Sequence, residues 1–479
     1  MAMGVVAVTI VLTLSACKKL IEIDPPVNAE VGTEVYKKDN TAIAVLTGLY
    51  TRMSNEGFDG AFTGLRSVSI GAGLSADELT LVDDPNVGYY LPQLHANALT
   101  AESYGRGWSM FEVVYAANAA IEGLTNNTFL SVKVRDQLLG EAKFVRAYCY
   151  FYLTSLYGAV PLVLNTDYTA TRALARTSQQ DVFQAILTDL KEAEVLLSDD
   201  FMDAKLTTVT TERVRPTKWA STALLARCYL YLEQWGNAET AATKLLTNTA
   251  RFDLVSSPDK VFLKNSKEAI WQLQPVVAEE NTKEGLLFNL VPGAPNFYSQ
   301  PVYLSRRVVD AFEKGDLRKV NWTNFLEVGS DTFYYPYKYK IGTTGQPVSE
   351  YLMVMRMSEQ YLIRAEARMR QDKLADGIAD VNALRTRARG EEPDDLPAIA
   401  VGISKDSALK VVLHERQVEL FTEWGHRWLD LKRTGNVDAV MKVVTPTKGG
   451  TWQSYKQLYP IPAYDIILNN NLKPNNTGY

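Results

Sequence analysis

The sequence of 479 residues contains little cysteine and little histidine, with three of each. Cys149 and Cys228 lie in apolar, aromatic stretches of helical pattern, where a buried free thiol is expected rather than a disulfide framework or a cysteine-based metal site. The spacing of His95, His414 and His426 does not match a set of zinc ligands. We therefore expect neither a bound metal nor a cofactor.

The sequence also has no excess of positive charge, because it contains 50 Lys and Arg and 55 Asp and Glu, which gives a net charge of −5. Nucleic-acid binding needs clustered basic residues, so no nucleic-acid partner is expected. The composition, 46% hydrophobic and 22% charged, is that of an ordinary globular chain that can bury a large core.

Linear catalytic motifs are missing as well. The sequence has no Gly-x-Ser-x-Gly elbow, no His-Glu-x-x-His helix, no phosphate-binding loop and no Gly-x-Gly-x-x-Gly turn. These absences favour a protein that is not an enzyme. A glycosidase needs only two carboxylates, which carry no linear motif, so a hydrolase stays open as the less favoured alternative.

The N-terminus has an uncharged apolar run at residues 4–16, GVVAVTIVLTLSA, that stops at Cys17. A helix of this length reaches about 20 Å, which is short of the roughly 30 Å of a bilayer core. Residues 1–16 are therefore predicted to be a secretory signal, although Met1–Thr9 carries none of the usual positive charge. The sequence Leu-Ser-Ala-Cys resembles the lipobox of bacterial lipoproteins, which implies cleavage before Cys17 and its acylation, for example with palmitate.

The rest of the chain divides into a tether and one domain. Residues 17–35 contain LIEIDPPVNAE and are predicted to be an extended tether. Residues 36–479 are predicted to form a single domain with a helical scaffold at about 40–246 and about 355–435. The segment at about 250–350 is aromatic and broken by Pro, Gly and Asn, which indicates irregular structure and short strands. Such segments on rigid scaffolds often carry function.

The scaffold contains strong helical patterns. Asp136–Tyr157 is apolar nearly all round and is followed by Gly158 and Pro161, which predicts a buried helix that ends there. Trp219–Leu246 and Tyr361–Arg387 each predict two antiparallel helices with small residues at the crossing, similar to a tetratricopeptide unit. The matched small residues are Ala226 with Ala238, and Ala365 with Gly377.

Several motifs occur in a fixed order along the chain. They are EAKFVRAY at 141–148, YGAVPLV at 157–163, YLIRAEA at 361–367, NALRTRAR at 382–389, ERQVEL at 415–420, GHRWLDLKRTG at 425–435 and YPIP at 459–462. Together they resemble the signatures of the SusD/RagB family of nutrient-uptake lipoproteins. Two departures are Glu423-Trp424-Gly425 in place of Glu-Gly before His-Arg, and the closing NNTGY in place of QNPGY.

The resemblance implies a mainly α, tetratricopeptide-like scaffold of helical hairpins with an irregular, short-stranded region that faces the ligand. It also implies a lipid-anchored protein on the outer membrane, facing outward, that passes its ligand to a TonB-dependent, SusC-like transporter. Family ligands are usually glycans and in some members peptides, and the sequence leaves both open.

The charged residues of the GHRWLDLKRTG motif are better explained by structure than by ligand binding. In a helix, Asp430 lies three residues from both Arg427 and Arg433, so local ion pairs are predicted for this cluster, which also contains Lys432. His426 is predicted to be a packed side chain.

The ligand site is therefore expected outside the family motifs. Oligosaccharides present apolar C–H faces bordered by hydroxyls, so their sites need exposed aromatic faces with polar neighbours. Two loop regions have this mixture of residues. The candidate ligand-binding residues are Tyr89, Tyr90 and Asn97 in the first region and Phe297, Tyr298 and Trp322 in the second.

The stretch Phe333–Tyr339 is a further aromatic candidate. Its alternation predicts a strand with Phe333, Tyr335, Tyr337 and Tyr339 packed on one face. The polar side of this strand is the alternative place for the ligand site.

The lipobox generates a first prediction. Cys17→Ala should remove the protein from the outer-membrane fraction, because the acyl chains that hold it there cannot be attached. Cell fractionation with immunoblotting measures this, and Cys149→Ala is the matched control that should stay in the membrane. A Cys17→Ala protein that fractionates like the wild type would contradict acylation at this residue.

Overall fold

The computed structural model describes residue 32 and residues 34–54, 62–84, 90–103 and 109–479. The predicted signal, Cys17 and nearly all of the predicted tether lie outside the described residues, and so does Tyr89. The main helices of the first part are α1 (Asp39–Ser54), α2 (Val68–Ser75), α3 (Tyr90–His95), α4 (Met110–Leu124), α5 (Val132–Tyr157), α6 (Tyr168–Thr171), α7 (Gln179–Leu196), α8 (Lys218–Tyr231) and α9 (Trp235–Leu246). They are followed by α10 (Lys283–Phe288), α11 (Arg306–Val309), α12 (Leu317–Trp322), α13 (Met357–Arg370), α14 (Leu374–Ala388), α15 (Lys405–Leu420), α16 (His426–Arg433), α17 (Val437–Thr447) and α18 (Ala463–Leu468).

Short strands accompany the helices. They are β1 (Leu79–Leu81), β2 (Val160–Pro161), β3 (Arg176–Thr177), β4 (Ala269–Leu273), β5 (Val302–Leu304), β6 (Thr323–Val328), β7 (Asp331–Pro336) and β8 (Leu352–Arg356). They form antiparallel pairs: β1 with β5, β2 with β3, β4 with β8 and β6 with β7. The fold is mainly α, as predicted.

Helix α5 is the central helix of the first half of the chain. From Glu141 to Tyr157 every residue except Lys143 is buried, because α4 and α7 cover its two sides. The helix ends at Gly158, which has a φ of +74° and donates its backbone N–H to the carbonyl of Thr154 at 2.9 Å. The predicted buried helix and its end at Gly158 are confirmed.

The two predicted helical hairpins are also confirmed, as α8 with α9 and α13 with α14. At the second crossing, a Cβ added to Gly377 would lie 2.8 Å from the carbonyl oxygen of Ala365, so only glycine allows this approach. Ala226 and Ala238 of the first hairpin are fully buried, and they pack in one cluster with Ala367 of α13. The small residues therefore let both hairpins stack on each other.

Three charged residues of the GHRWLDLKRTG motif form ion pairs, whereas Lys432 donates to the carbonyl of Ser155 and burial lowers its pKa to about 7. Asp430 accepts hydrogen bonds from Arg433 and from Arg416 of α15, both at 2.7 Å. Arg427 instead pairs with Asp77, 350 residues away, at 2.8 Å. The predicted pair of Arg427 with Asp430 is therefore wrong, because the Arg427 side chain reaches the end of α2 and not along its own helix. The predicted packing of His426 is confirmed, since it is 5% exposed and burial holds its pKa well below the ordinary value.

A buried ionic network centred on Glu419 joins the scaffold to the segment between α9 and α13. The Glu419 carboxylate accepts hydrogen bonds from Arg318 of α12 at 2.8 Å, and from Arg356 and Arg387 at 2.6 Å. Its side chain is completely buried. Burial by itself would raise the pKa of Glu419, but the charges of the three arginines lower it well below 4.5.

Loss of this carboxylate charge generates a second prediction. Glu419→Gln should lower the free energy of unfolding by about 3–5 kcal/mol, because three buried guanidinium groups lose their shared counter-charge. Urea denaturation measures the change. The control is Glu112→Gln, which removes the acid of an exposed pair with Arg52 and should cost less than about 1 kcal/mol.

The same carboxylate gives the expected pH dependence. The pKa of Glu419 is lower in the folded chain than its ordinary value of 4.5. The ionised carboxylate therefore makes its full contribution to the free energy of unfolding above pH 4.5, and this contribution is lost as the pH falls toward the pKa of the folded chain. When the pH is lowered below 4.5, the free energy of unfolding should therefore fall less for Glu419→Gln than for the wild type. Equal stability of the two proteins at pH 7 would contradict the assigned role of the network.

Candidate ligand-binding surface

The hairpin of β6 and β7 has two faces of different character. On the inner face Leu326 lies opposite Phe333, and both pack with Leu290, Ala294 and Tyr335. The Tyr303 ring of β5 meets the Phe333 ring edge-on at 5.1 Å. This contact fixes the hairpin beside the pair of β1 and β5. The inner face around Leu326 and Phe333 is thus a satellite core.

The outer face of the hairpin carries an aromatic pair in which Phe325 is exposed and Tyr334 is partly buried against the main core. Phe325 lies opposite Tyr334, with ring centroids 5.8 Å apart, and Phe325 is 51% exposed. The guanidinium of Arg306 lies 5.2 Å from the centre of the Tyr334 ring. Glu327 and Thr332 are opposite each other one pair further along this face and are also exposed. We call these five residues the aromatic platform.

The register of the hairpin explains why the platform forms. Gly329 and Ser330 make the two-residue turn, and Gly329 has the left-handed φ of +64° that such turns require. Directly opposite residues of an antiparallel pair point to the same face, so Phe325 and Tyr334 are held side by side.

The strand nevertheless ends at Pro336, earlier than predicted, and Tyr339 packs in the main core. The predicted single packed face is therefore right for Phe333, Tyr335 and Tyr337 but wrong for Tyr339.

The loop before β5 presents a second exposed ring. Tyr298 is 77% exposed, and its neighbour Phe297 is half-buried with ring centroids 3.7 Å apart. The side-chain oxygen of Asn296 accepts hydrogen bonds from the backbone N–H groups of Tyr298 and Ser299, both at 3.1 Å. Gln300, which is buried, ties the end of the loop to the carbonyl of Leu286 at 3.0 Å. The loop therefore holds Tyr298 at the surface by its own hydrogen bonds.

Strand β1, which precedes the first predicted region in the sequence, pairs with β5 of the second region. The N–H of Val82 donates to the carbonyl of Pro301 at 2.8 Å, which continues the pairing of β1 with β5. Burial raises the pKa of the Tyr303 phenol, and the charges of Asp331 and Asp83 raise it further. Tyr90 is half-buried at the start of α3, with the Arg66 guanidinium 4.4 Å from its ring centre. The chain as far as Val82 thus lies next to the loop that precedes β5.

Two of the predicted binding residues are not available at the surface. Trp322 is completely buried, and its indole N–H donates to the carbonyl of Pro258 at 2.8 Å. Asn97 is 5% exposed; its amide donates to the carbonyl of Ser75 and accepts from the Thr445 hydroxyl, both at 2.8 Å. The expectation of exposed contacts at these positions is wrong.

Both errors come from the assumption that these residues lie in open loops. Trp322 is the last residue of α12, which begins at Leu317 and is capped by Asp316, whose carboxylate accepts from the N–H of Arg318 at 2.9 Å. Asn97 adopts a φ of +49° in the turn that closes α3. Phe325 and Arg306 were not among the residues predicted from the sequence. The Gly-Ser turn between two alternating strands is the signal that identifies Phe325.

The platform has the chemistry of a site for a neutral, hydroxylated ligand. Aromatic faces stack on apolar C–H surfaces, while the guanidinium, carboxylate and hydroxyl groups beside them exchange hydrogen bonds with hydroxyls. Among the described residues no cluster of three or more His, Cys, Asp or Glu could hold a metal ion. Within the same residues no helix is both long and apolar enough to cross a membrane.

Comparison with known families identifies the fold. A model of the SusD family matches residues 296–479, and a model described as starch-binding and associating with the outer membrane matches residues 89–230. The chain belongs to the SusD/RagB family.

Individual relatives match different shares of the chain. The SusD-like protein P2 of Formosa agariphila is 25% identical, with 98% of each chain covered. The starch-binding protein SusD of Bacteroides thetaiotaomicron is 30% identical over 183 residues, which are 36% of this chain and 27% of that protein. A SusD superfamily protein of Bacteroides vulgatus has a TM-score of 0.78 at 21% identity, covering 93% of this chain and 100% of its own. Surface glycan-binding protein A of Bacteroides fluxus has a TM-score of 0.72 at 21% identity, covering 92% and 99%.

The corrected place of Trp322 generates a third prediction. Trp322→Ala should lower the free energy of unfolding by about 3–5 kcal/mol, because it opens a large cavity beside the ionic network. Phe325→Ala, on the exposed outer face, should cost less than about 1 kcal/mol. Urea denaturation compares the two variants, and equal costs would contradict the assignment of one ring to the core and the other to the surface.

Proposed function

We propose that this protein captures an oligosaccharide outside the cell and delivers it to a TonB-dependent, SusC-like transporter of the outer membrane. The observation that carries the proposal is the aromatic platform, in which the exposed Phe325 ring lies beside the partly buried Tyr334 ring and Arg306, on a hairpin fixed by its inner face. The description of one matching family model as starch-binding, and the name of the relative SusD, support a glycan as the ligand.

In this proposal the platform is the main contact and the neighbouring loop extends it. A sugar ring stacks on Phe325 and Tyr334, while Arg306 and Glu327 hydrogen-bond to its hydroxyls. Tyr298, with Phe297 beneath it, contributes a second ring further along the ligand. Tyr90 and Tyr89, of which Tyr89 lies outside the described residues, remain proposed contacts from the other predicted region. A long glycan, which has many equivalent sugar rings, suits such an extended series of rings.

Delivery requires that the protein stay on the cell surface and leave its ligand intact. We propose that Cys17 is the lipid anchor, that residues 17–35 form the tether and that residues 36–479 form one ligand-binding domain. The relatives named above for their ligands are named as binding proteins, which supports a function without catalysis. The ligand would then be released unchanged to the transporter.

Binding to the platform is the fourth prediction. In affinity electrophoresis with soluble starch, xylan and laminarin as separate probes, at least one polysaccharide should retard the protein. Phe325→Ala and Tyr334→Ala should weaken that binding at least tenfold, since truncation of an aromatic anchor costs about 2 kcal/mol. The matched control is Tyr464→Ala, which removes a ring on α18 that is 68% exposed and should bind like the wild type.

Other outcomes would separate the alternatives. Variants at Phe325 and Tyr334 that fold and bind normally would move the site away from the platform. Retardation by none of the polysaccharides, together with saturable binding of a peptide mixture in calorimetry, would replace the glycan with a peptide ligand.

The fifth prediction is that the protein does not cleave the glycan that it binds. Prolonged incubation with the bound polysaccharide should produce no new reducing ends, because the proposed contacts orient no pair of acid and base groups across a glycosidic bond. A reducing-sugar assay measures this. New reducing ends that disappear in a folded Glu327→Gln variant would show a hydrolase instead.

A further inference from the structure

The turn between α4 and α5 carries two exposed apolar side chains. Phe129 is 67% exposed and Val132 is 62% exposed, and only Leu130 and Ser131 lie between them in the sequence. Together the exposed ring and the exposed aliphatic group offer apolar surface that another surface can cover. This turn is far along the chain from the aromatic platform and has no part in the proposed glycan contacts.

The turn is held rigidly, so the exposure of Phe129 is built into the fold. The side-chain oxygen of Asn127 accepts hydrogen bonds from the N–H groups of Phe129 at 2.9 Å and Leu130 at 3.2 Å. Asp39 of α1 accepts from both the backbone and the hydroxyl of Ser131, at 3.0 and 2.8 Å. These bonds fix the direction in which Phe129 projects.

The same turn is joined to the place where the chain enters the described body. The amide of Asn127 donates to the carbonyl of Tyr36 at 2.9 Å. The Tyr36 ring lies on Gly123, where an added Cβ would come within 2.2 Å of it. Asn127 therefore ties the segment Glu34–Lys37 directly to the turn that presents Phe129.

This connection places the turn next to the proposed tether. The stretch from Cys17 to Glu34 can span roughly 60 Å when fully extended, so the tether alone does not decide which face of the body meets the membrane. A surface that itself binds lipid, at the point where the tether joins the body, would determine which face of the body meets the membrane.

One basic side chain lies beside the Phe129 ring, and two more are close to the patch in sequence. The Lys37 ammonium lies 5.8 Å from the centre of the Phe129 ring, Lys38 follows Lys37, and Lys133 follows Val132; both of these lysines are exposed. Glu34 pairs with Lys37 at 2.6 Å, and both carboxylate oxygens of Asp39 bind Ser131. Aromatic and aliphatic groups bordered by lysines match the boundary between lipid headgroups and acyl chains.

We propose that Phe129, Val132, Lys37, Lys38 and Lys133, named here the basal patch, bind the surface of the lipid bilayer. Phe129 and Val132 enter the interfacial layer, and the lysines contact phosphate headgroups. The patch thereby sets the orientation of the body above the membrane. This inference rests on the proposed anchoring through Cys17.

A fluorescent label next to the patch tests the proposal. Cys149 and Cys228 are fully buried, so a thiol-reactive nitrobenzoxadiazole dye should react only with an introduced cysteine. Thr128→Cys places the dye beside Phe129 without replacing a patch residue, and Thr240→Cys on α9 is the matched exposed control. The full-length lipoprotein is reconstituted into vesicles of phosphatidylcholine and phosphatidylglycerol that contain a nitroxide-labelled lipid.

Lipid quenching of the dye at position 128 should be at least about twice that at position 240, because an interfacial group lies within reach of the nitroxide. Adding Phe129→Ser and Val132→Ser should reduce it to the level of the control. In vesicles without phosphatidylglycerol, the quenching of the dye at position 128 should be partly reduced, because the lysines lose their anionic partners.

The outcomes separate the basal patch from the lipid anchor. Protein that floats with the vesicles but is quenched equally at both positions would overturn the patch and leave the anchor in place. Protein that does not float at all would overturn the anchor, and the patch proposal with it. A dye at position 128 that is shielded only when the transporter is added, and never quenched by lipid, would assign this surface to the transporter and overturn the proposal.

Discussion

The buried carboxylate of Glu419 is the point on which the arrangement of this protein depends. It comes from α15 and binds arginines from α12, β8 and α14, three elements that are distant in sequence. A buried charge without partners costs several kcal/mol, so none of these elements can move without leaving charges unpaired. The network therefore decides where the segment between α9 and α13 sits on the scaffold of helical hairpins.

The proposed ligand surface depends on this network. Arg318, which binds Glu419, lies in α12 directly before β6, and Lys338 lies just after β7 and donates to the carbonyl of Glu419 at 2.8 Å. Burial lowers the pKa of Lys338 to about 8, against the opposing charge of Glu423. Both ends of the β6–β7 hairpin are thus fixed by the same group of charges. A platform held in this way loses little conformational freedom when a ligand binds.

In the β6–β7 hairpin, residues that are neighbours in the sequence lie on opposite faces. Tyr334 and Tyr335 are neighbours in β7, yet Tyr334 lies with Phe325 on the outer face and Tyr335 packs in the inner cluster. Alternation along a strand assigns them to opposite faces, but only the packing of Leu290 and Ala294 decides which face is covered. Aromatic residues therefore serve stability on one side and proposed recognition on the other.

Local patterns in the sequence were enough to determine the mainly α scaffold. Apolar periodicity located α5, Gly158 marked its end, and small residues at matched positions identified both helical hairpins, because these features involve residues close in sequence. The family followed from motifs in a fixed order. The partner of Arg427, the burial of Trp322 and the exposure of Phe325 were decided only by the tertiary structure. Each depends on elements far apart in the chain, such as Asp77 for Arg427 and Pro258 for Trp322, and a side chain's own neighbours in sequence do not determine what covers it.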